Sequence, residues 1–103
     1  MTTPNLEVIE RIENTLEVEV PKMYKVILFN DNKTSVEFVM HVLMRIFHKS
    51  TDESIALTQQ IHEKGQGIAG APYTAEVAEE KTVETMASAR ANNFPLTASF
   101  EEV

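Results

Sequence analysis

The stretch that decides the fold is MYKVILFNDNKTSVEFVMHVLMRIF, residues 23–47, in which an apolar run is followed by a polar turn and then by a helical pattern. The run at residues 23–29 is rich in β-branched and aromatic side chains and carries one charge, which is typical of a strand covered on both faces. TSVE, residues 34–37, has the form of a capping box, so a helix is predicted to begin at Thr34.

The apolar residues after this turn recur at helical spacing and define one face over three turns. They are Val36, Val39, Met40, Leu43, Ile46 and Phe47. This face is predicted to lie in the core.

The rest of the chain predicts two more helices and two more strands. A second capping box, STDE at residues 50–53, begins a helix that is expected to end before Gly65. GQGIAGAPY, residues 65–73, predicts a weak strand at a sheet edge or with a kink. Thr74 can cap a third helix, and LTASF, residues 96–100, alternates like a half-buried strand. The inner face of the third helix is predicted to be compact and to carry Val77, Val83, Met86, Ala87 and further alanines. The element order is therefore β-α-α-β-α-β.

Composition limits the functions that this chain can have. Its 103 residues suit one core, and the absence of cysteine excludes disulfides, thiolate metal sites and a catalytic thiol.

The charge of the chain is unevenly distributed. The net charge is −7, with five Glu against Arg11 in residues 1–20. That segment is expected to be a flexible acidic arm before a core domain at 21–103. An acidic chain without a stripe of Lys and Arg argues against binding to nucleic acid. No apolar membrane span and no secretion signal is recognised in the sequence, so a cytoplasmic location is expected.

Polar side chains gather at the end of the first predicted strand, where Asn30 and Asp31 precede a helix. Such a position is common for ligand sites, although Asn and Asp are also the ordinary residues of turns. His62 lies near the end of the second helix, where it can interact with free carbonyl groups or turn inward as a polar spot. His41 and His48 lack carboxylate or thiolate neighbours at ligand spacing, so no metal site is expected.

Four segments together carry a resemblance to a known family: PKMYKVILFNDNKTSVEFVMHVLMRIF, IHEKGQGIAG, YTAEVAEEK and FPLTASFEE. Over residues 21–103 the chain resembles ClpS, the adaptor that hands proteins with destabilising N-terminal residues to a Clp-family AAA+ unfoldase. The resemblance implies an α+β fold, a three-stranded antiparallel sheet packed on three helices. It also implies an adaptor that is no enzyme and uses no cofactor, with the unfoldase N-terminal domain and N-terminal hydrophobic residues of substrates as partners.

The resemblance gives the polar cluster a role, because Asn30, Asp31 and His62 then hold the α-ammonium group of the substrate. An ammonium has three N–H donors and no acceptor, so it suits a carbonyl oxygen, a carboxylate and a neutral imidazole. Acetylation of the amine removes its charge and donors together. Protonation of His62 replaces an acceptor by a donor and adds a like charge, so binding is expected to weaken below about pH 6.

The resemblance also implies an apolar pocket for the first substrate side chain. Its walls correspond to Leu28, Thr34, Val36, Val39, Thr58, Ile61 and Leu96. Val36 and Thr58 stand where the family usually has Met, so the pocket is expected to be wider and more polar. At its mouth, Asn32, Lys33 and Ser35 replace Asp, Tyr and Pro, which makes the mouth less negative.

The same resemblance assigns Glu76 and Lys81 on the third helix to contact with the unfoldase, although both also suit a plain solvated helix face.

Two other functions remain open. A diverged pocket predicts an adaptor that modulates the unfoldase or recognises internal sequences, indifferent to N-acetylation. An enzyme using His62 and Asp31 as a general-base pair is disfavoured because no nucleophile motif accompanies them.

Overall fold

The computed structural model describes residues 21–103, and the predicted arm at residues 1–20 lies outside this range. The elements are β1 (Tyr24–Phe29), α1 (Val36–Arg45), α2 (Thr51–Lys64), β2 (Gln66–Tyr73), α3 (Ala75–Ala91) and β3 (Thr97–Glu102). Both strand pairings are antiparallel. The predicted α+β fold, with three strands and three helices in the order β-α-α-β-α-β, is confirmed.

The sheet has the order β2-β1-β3, so β1 is the central strand and β2 lies at an edge, as predicted. Leu28 on β1 lies opposite Gly67 on β2 and Ala98 on β3. The middle of β1, residues 26–28, is buried, which agrees with a strand covered on both faces. The polar turn after β1 therefore leaves from the middle of the sheet and lies beside the helices.

The core face predicted for α1 is wrong at Val36 and confirmed at four positions, which are buried. These are Val39, Leu43, Ile46 and Phe47. Phe38 and Val42 are buried at 8% and 0% exposure, whereas Val36 is 56% exposed. Ser35 is the N-cap, and its hydroxyl accepts a hydrogen bond of 3.1 Å from the backbone N–H of Phe38. The helix thus begins at Val36, and the side chain of this first residue is free to line a surface cavity.

The capping box predicted at Thr34 is wrong, and Asp31 is the reason. The hydroxyl of Thr34 donates a 2.7 Å hydrogen bond to Asp31 Oδ2. The backbone N–H of Thr34 also donates to this carboxylate, at 2.7 Å, so both groups of Thr34 hold it in the turn. Ser35, the next residue, then takes the capping position.

Both ends of α2 agree with the sequence. Ser50 and Glu53 form the predicted capping box, and Gly65 ends the helix in the left-handed conformation at φ 86°. The carbonyl oxygen of Gly65 accepts a 2.9 Å hydrogen bond from the backbone N–H of Asn30. This bond ties the polar turn after β1 to the C-terminal end of α2.

The inner face predicted for α3 is wrong at Val77, Val83 and Ala87, whereas Met86 packs against the core and two alanines are buried. Val83 is 56% exposed and Val77 is 37% exposed, Ala87 is also exposed, and Met86 is half-buried. The buried residues are small ones: Ala78, Thr82, Thr85 and Ala89. The two threonines can be buried because their hydroxyls donate to backbone carbonyls of their own helix, each at 2.7 Å. Small side chains allow α3 to pack close to the sheet.

Candidate functional site

A cavity of ≈ 290 Å³ opens between the polar turn, the start of α1 and the second half of α2. Its lining residues are Asn30, Asp31, Asn32, Thr34, Val36, Val39, Thr58, Ile61 and His62. Except for Asn32, these are positions to which the family resemblance assigned an amine-binding or pocket role. Leu28 and Leu96 were assigned to the same pocket, but they are 0% and 1% exposed and lie in the core beside Val39 and Ile61.

The turn at the cavity mouth is organised around the Asp31 carboxylate. Oδ1 accepts hydrogen bonds from the backbone N–H groups of Lys33 at 2.8 Å and Thr34 at 2.7 Å, and Oδ2 accepts from the Thr34 hydroxyl. Partial burial alone would raise the pKa of this carboxyl. The hydrogen bonds from Thr34 and Lys33, with the charge of Arg90, outweigh that effect and hold the pKa below its usual value. Asp31 is therefore a fixed negative charge at neutral pH.

Polar and apolar groups are separated within this cavity. Asn30 and His62 are exposed at its mouth beside Asp31, and Val39 and Ile61 are buried in its wall at 7% and 2% exposure. A carboxylate, an amide and an imidazole can together accept the hydrogen bonds of a cation, while the wall removes an apolar group from water. The arrangement suits a ligand with a positive charge next to an apolar side chain.

Thr58 introduces a polar atom into the apolar wall. Its side chain is 8% exposed, and its hydroxyl oxygen is buried without a hydrogen-bond partner among residues 21–103. Ser54, one helical turn earlier and fully buried, has a hydroxyl in the same condition but does not line the cavity. Buried hydroxyls normally have partners, so Thr58 stands out in this wall.

A second hollow of ≈ 240 Å³ adjoins the first and was not anticipated. Its lining residues are Val36, Met40, Ile55, Thr58, Gln59 and His62. Val36 and Ile55 are among its exposed apolar side chains, at 56% and 50%. The sequence contained evidence for this hollow, because Ile55 shares a helix face with Thr58 and His62 at helical spacing.

The two residues assigned to unfoldase contact lie on α3, away from the cavity. Glu76 is exposed and lines a shallow groove of ≈ 560 Å³ with Glu79, Glu80, Val83 and Glu84. Lys81 is half-buried, and its Nζ donates a 2.8 Å hydrogen bond to the carbonyl oxygen of Ile46. Lys81 thus has a structural contact that the sequence did not indicate.

Residues 21–103 contain no group of three His, Asp or Glu side chains placed to hold a metal ion. Within this same range, no helix combines the length and hydropathy required to cross a membrane.

Comparison with known proteins gives consistent matches. The family model described as ATP-dependent Clp protease adaptor protein ClpS matches residues 19–99. The ATP-dependent Clp protease adapter protein ClpS of Oleidesulfovibrio alaskensis is 47% identical over 87 residues, covering 84% of this chain and 83% of its own. Its counterpart from Syntrophus aciditrophicus is 38% identical over 103 residues, covering 94% and 95%. A solved structure of Agrobacterium tumefaciens ClpS2 bound to L-phenylalaninamide aligns with a TM-score of 0.77 at 32% identity, over 82% of this chain and 100% of that one.

Proposed function

Because the chain belongs to the ATP-dependent Clp protease adaptor protein ClpS family, we propose that it binds protein substrates through a free N-terminal residue with a hydrophobic side chain. In this proposal Asn30, Asp31 and His62 hold the α-ammonium, and the cavity beside them receives the first side chain. The chain performs no catalysis; it acts in the cytoplasm by bringing the substrate to a Clp AAA+ unfoldase.

One observation carries the proposal, namely that a fixed carboxylate lies at the mouth of a cavity with an apolar wall. The lowered pKa of Asp31 keeps its charge at neutral pH, and Val39 and Ile61 lie in the wall behind it. The size, ≈ 290 Å³, is just below the range of about 300–1,000 Å³ found for small-molecule sites, which suits one amino-acid residue. The Agrobacterium tumefaciens relative was solved with L-phenylalaninamide, which has a free amine next to an apolar side chain.

Competition binding with paired peptides tests the proposal. Peptides beginning with Leu, Phe, Tyr or Trp are compared as free amines and after N-acetylation, at neutral pH. Free amines are expected to bind at least about tenfold more tightly, because acetylation removes a charge and its hydrogen bonds to ionised Asp31. Equal affinity for acetylated peptides would overturn the proposal and favour a diverged pocket that reads internal sequences.

Docking on the unfoldase N-terminal domain is proposed to use Glu76 and Lys81. The Glu76 carboxylate is exposed in a groove with three other Glu side chains, so a cationic partner surface would be attracted. Lys81 is half-buried and its ammonium already donates to Ile46, so it is proposed to contact the partner through the part of the side chain that stays exposed.

Glu76→Lys tests the docking surface without changing the substrate cavity. The variant is expected to bind the isolated unfoldase N-terminal domain at least about tenfold more weakly while retaining peptide affinity, and wild-type docking should weaken with added salt. Glu102→Lys, which reverses an exposed charge on β3, is the matched control. An equal loss of affinity for the unfoldase domain in both variants would mean that net charge, and not a defined surface, determines docking.

A further inference from the structure

The hydroxyl of Thr58 is the least expected atom in the cavity wall. It is shielded from solvent and has no partner among the described residues, whereas the hydroxyls of Thr34, Thr82 and Thr85 all donate hydrogen bonds. In a helix, threonine has two accessible χ1 rotamers. A rotation about its Cα–Cβ bond can therefore turn the hydroxyl toward a polar atom inside the cavity.

The position of Thr58 relative to His62 limits which ligand atom the Thr58 hydroxyl can reach. The two residues are one turn apart on α2, which separates their Cβ atoms by about 5–6 Å. His62 is exposed at the mouth and Thr58 is buried in the wall. A side chain whose amine is held at the mouth must therefore extend inward, and aromatic residues have this reach.

We propose that Thr58 makes the cavity selective for N-terminal aromatic residues that carry a hydrogen-bonding atom, tyrosine and tryptophan, over phenylalanine and leucine. This inference rests on the proposed function. A threonine hydroxyl can donate to or accept from the tyrosine O–H and can accept from the indole N–H. In the rotamer that the structure shows, the Thr58 hydroxyl has no partner within residues 21–103, so a hydrogen bond to the ligand satisfies a group that is otherwise left unpaired.

Isosteric peptide pairs measure this selectivity. Tyrosine is compared with phenylalanine, and tryptophan with benzothienylalanine, in which sulfur replaces the indole N–H. For the wild-type protein we expect the polar member of at least one pair to bind about fivefold to tenfold more tightly. Thr58→Val keeps the branched shape and removes the hydroxyl, so it should reduce that ratio to about one.

Ser54→Ala is the matched control, because it removes the neighbouring unpartnered hydroxyl that does not line the cavity. It should leave both ratios unchanged, and thermal unfolding should show that both variants fold. Ratios near one in the wild-type protein, or ratios that survive Thr58→Val, would overturn the inference. N-acetylated peptides separate this result from failure of the proposed function: if phenylalanine peptides bind only as free amines while the ratios stay near one, only the role of Thr58 fails.

Discussion

Lys81 on α3 donates a 2.8 Å hydrogen bond from Nζ to the backbone carbonyl oxygen of Ile46, the residue that caps the C-terminal end of α1. The ammonium also lies 5.7 Å from the ring centre of Phe47 and 5.4 Å from that of Tyr73. A cation at a helix C-terminus satisfies a free carbonyl and interacts favourably with the helix dipole. Lys81 therefore fastens α3 to α1.

Lys81→Met should lower the free energy of unfolding by about 1–2 kcal/mol, because it removes a charged hydrogen bond and leaves the Ile46 carbonyl without this donor. Urea unfolding followed by circular dichroism measures the change. Glu80→Ala, an exposed change on the same helix, should stay within about 0.5 kcal/mol of wild type. Equal stability of Lys81→Met and wild type would show that this hydrogen bond contributes nothing.

The Asp31 turn should make stability depend on pH. Because the folded pKa of Asp31 lies below its ordinary value of 3.8, the ionised carboxylate stabilises the fold above that pH, and this contribution is lost as the pH falls through the folded pKa. The pKa of Glu53 is also lowered, by its hydrogen bonds with Ser50, so its ionised form stabilises the fold in the same way. Asp31→Asn should reduce the loss of unfolding free energy between pH 6 and pH 3. A loss as large as that of wild type would contradict this account of the turn.

His62 should contribute a hydrogen-bond acceptor to the bound α-ammonium. His62→Ala removes the imidazole from the mouth of the cavity and should weaken binding of a leucine peptide severalfold at neutral pH. His41→Ala, which removes an exposed histidine that does not line the cavity, should leave this affinity unchanged. Equal affinities of His62→Ala and wild type would exclude His62 from the amine site.

Gly67 should be intolerant of a side chain because of its position against the cavity wall. A Cβ atom added there would lie 2.8 Å from Cγ1 of Ile61, which lines the cavity. Gly67→Ala should therefore destabilise the fold by about 1–3 kcal/mol and also weaken peptide binding. Gln66→Ala, an exposed neighbour on β2, should do neither. Unchanged stability and affinity in Gly67→Ala would mean that Ile61 can move without cost.

Local patterns in the sequence predicted the elements and their order because each signal lies within a few residues. Gly65 ends α2 and Ser50 begins it, as their capping chemistry requires. The faces of α1 and α3 were harder to predict, because hydrophobicity favoured Val36 and Val83 for the core. In the fold, Phe38 and Val42 are buried on α1, and on α3 two threonines that bond their own helix backbone are buried.

The cavity shows the same limit. Most of the residues assigned through the family resemblance line one opening, whereas Leu28 and Leu96 are buried in the core and do not line it. Whether a residue lines a cavity depends on how the elements pack, which local sequence patterns do not predict. The unpartnered hydroxyl of Thr58 and the hydrogen bond from Lys81 to Ile46 depend on distances in the folded structure. The spacing of residues along the chain does not predict those distances.

The central claim is that the cavity binds a free α-amine together with its side chain. It is tested most directly by recording amide chemical shifts of the isotope-labelled protein during titration with L-phenylalaninamide and, separately, with its N-acetyl derivative. The account predicts saturable shifts concentrated at residues 30–36 and 58–62 with the free amine and almost none with the acetylated compound. Equal shifts with both compounds, or shifts confined to the α3 groove around Glu76 and Val83, would contradict it.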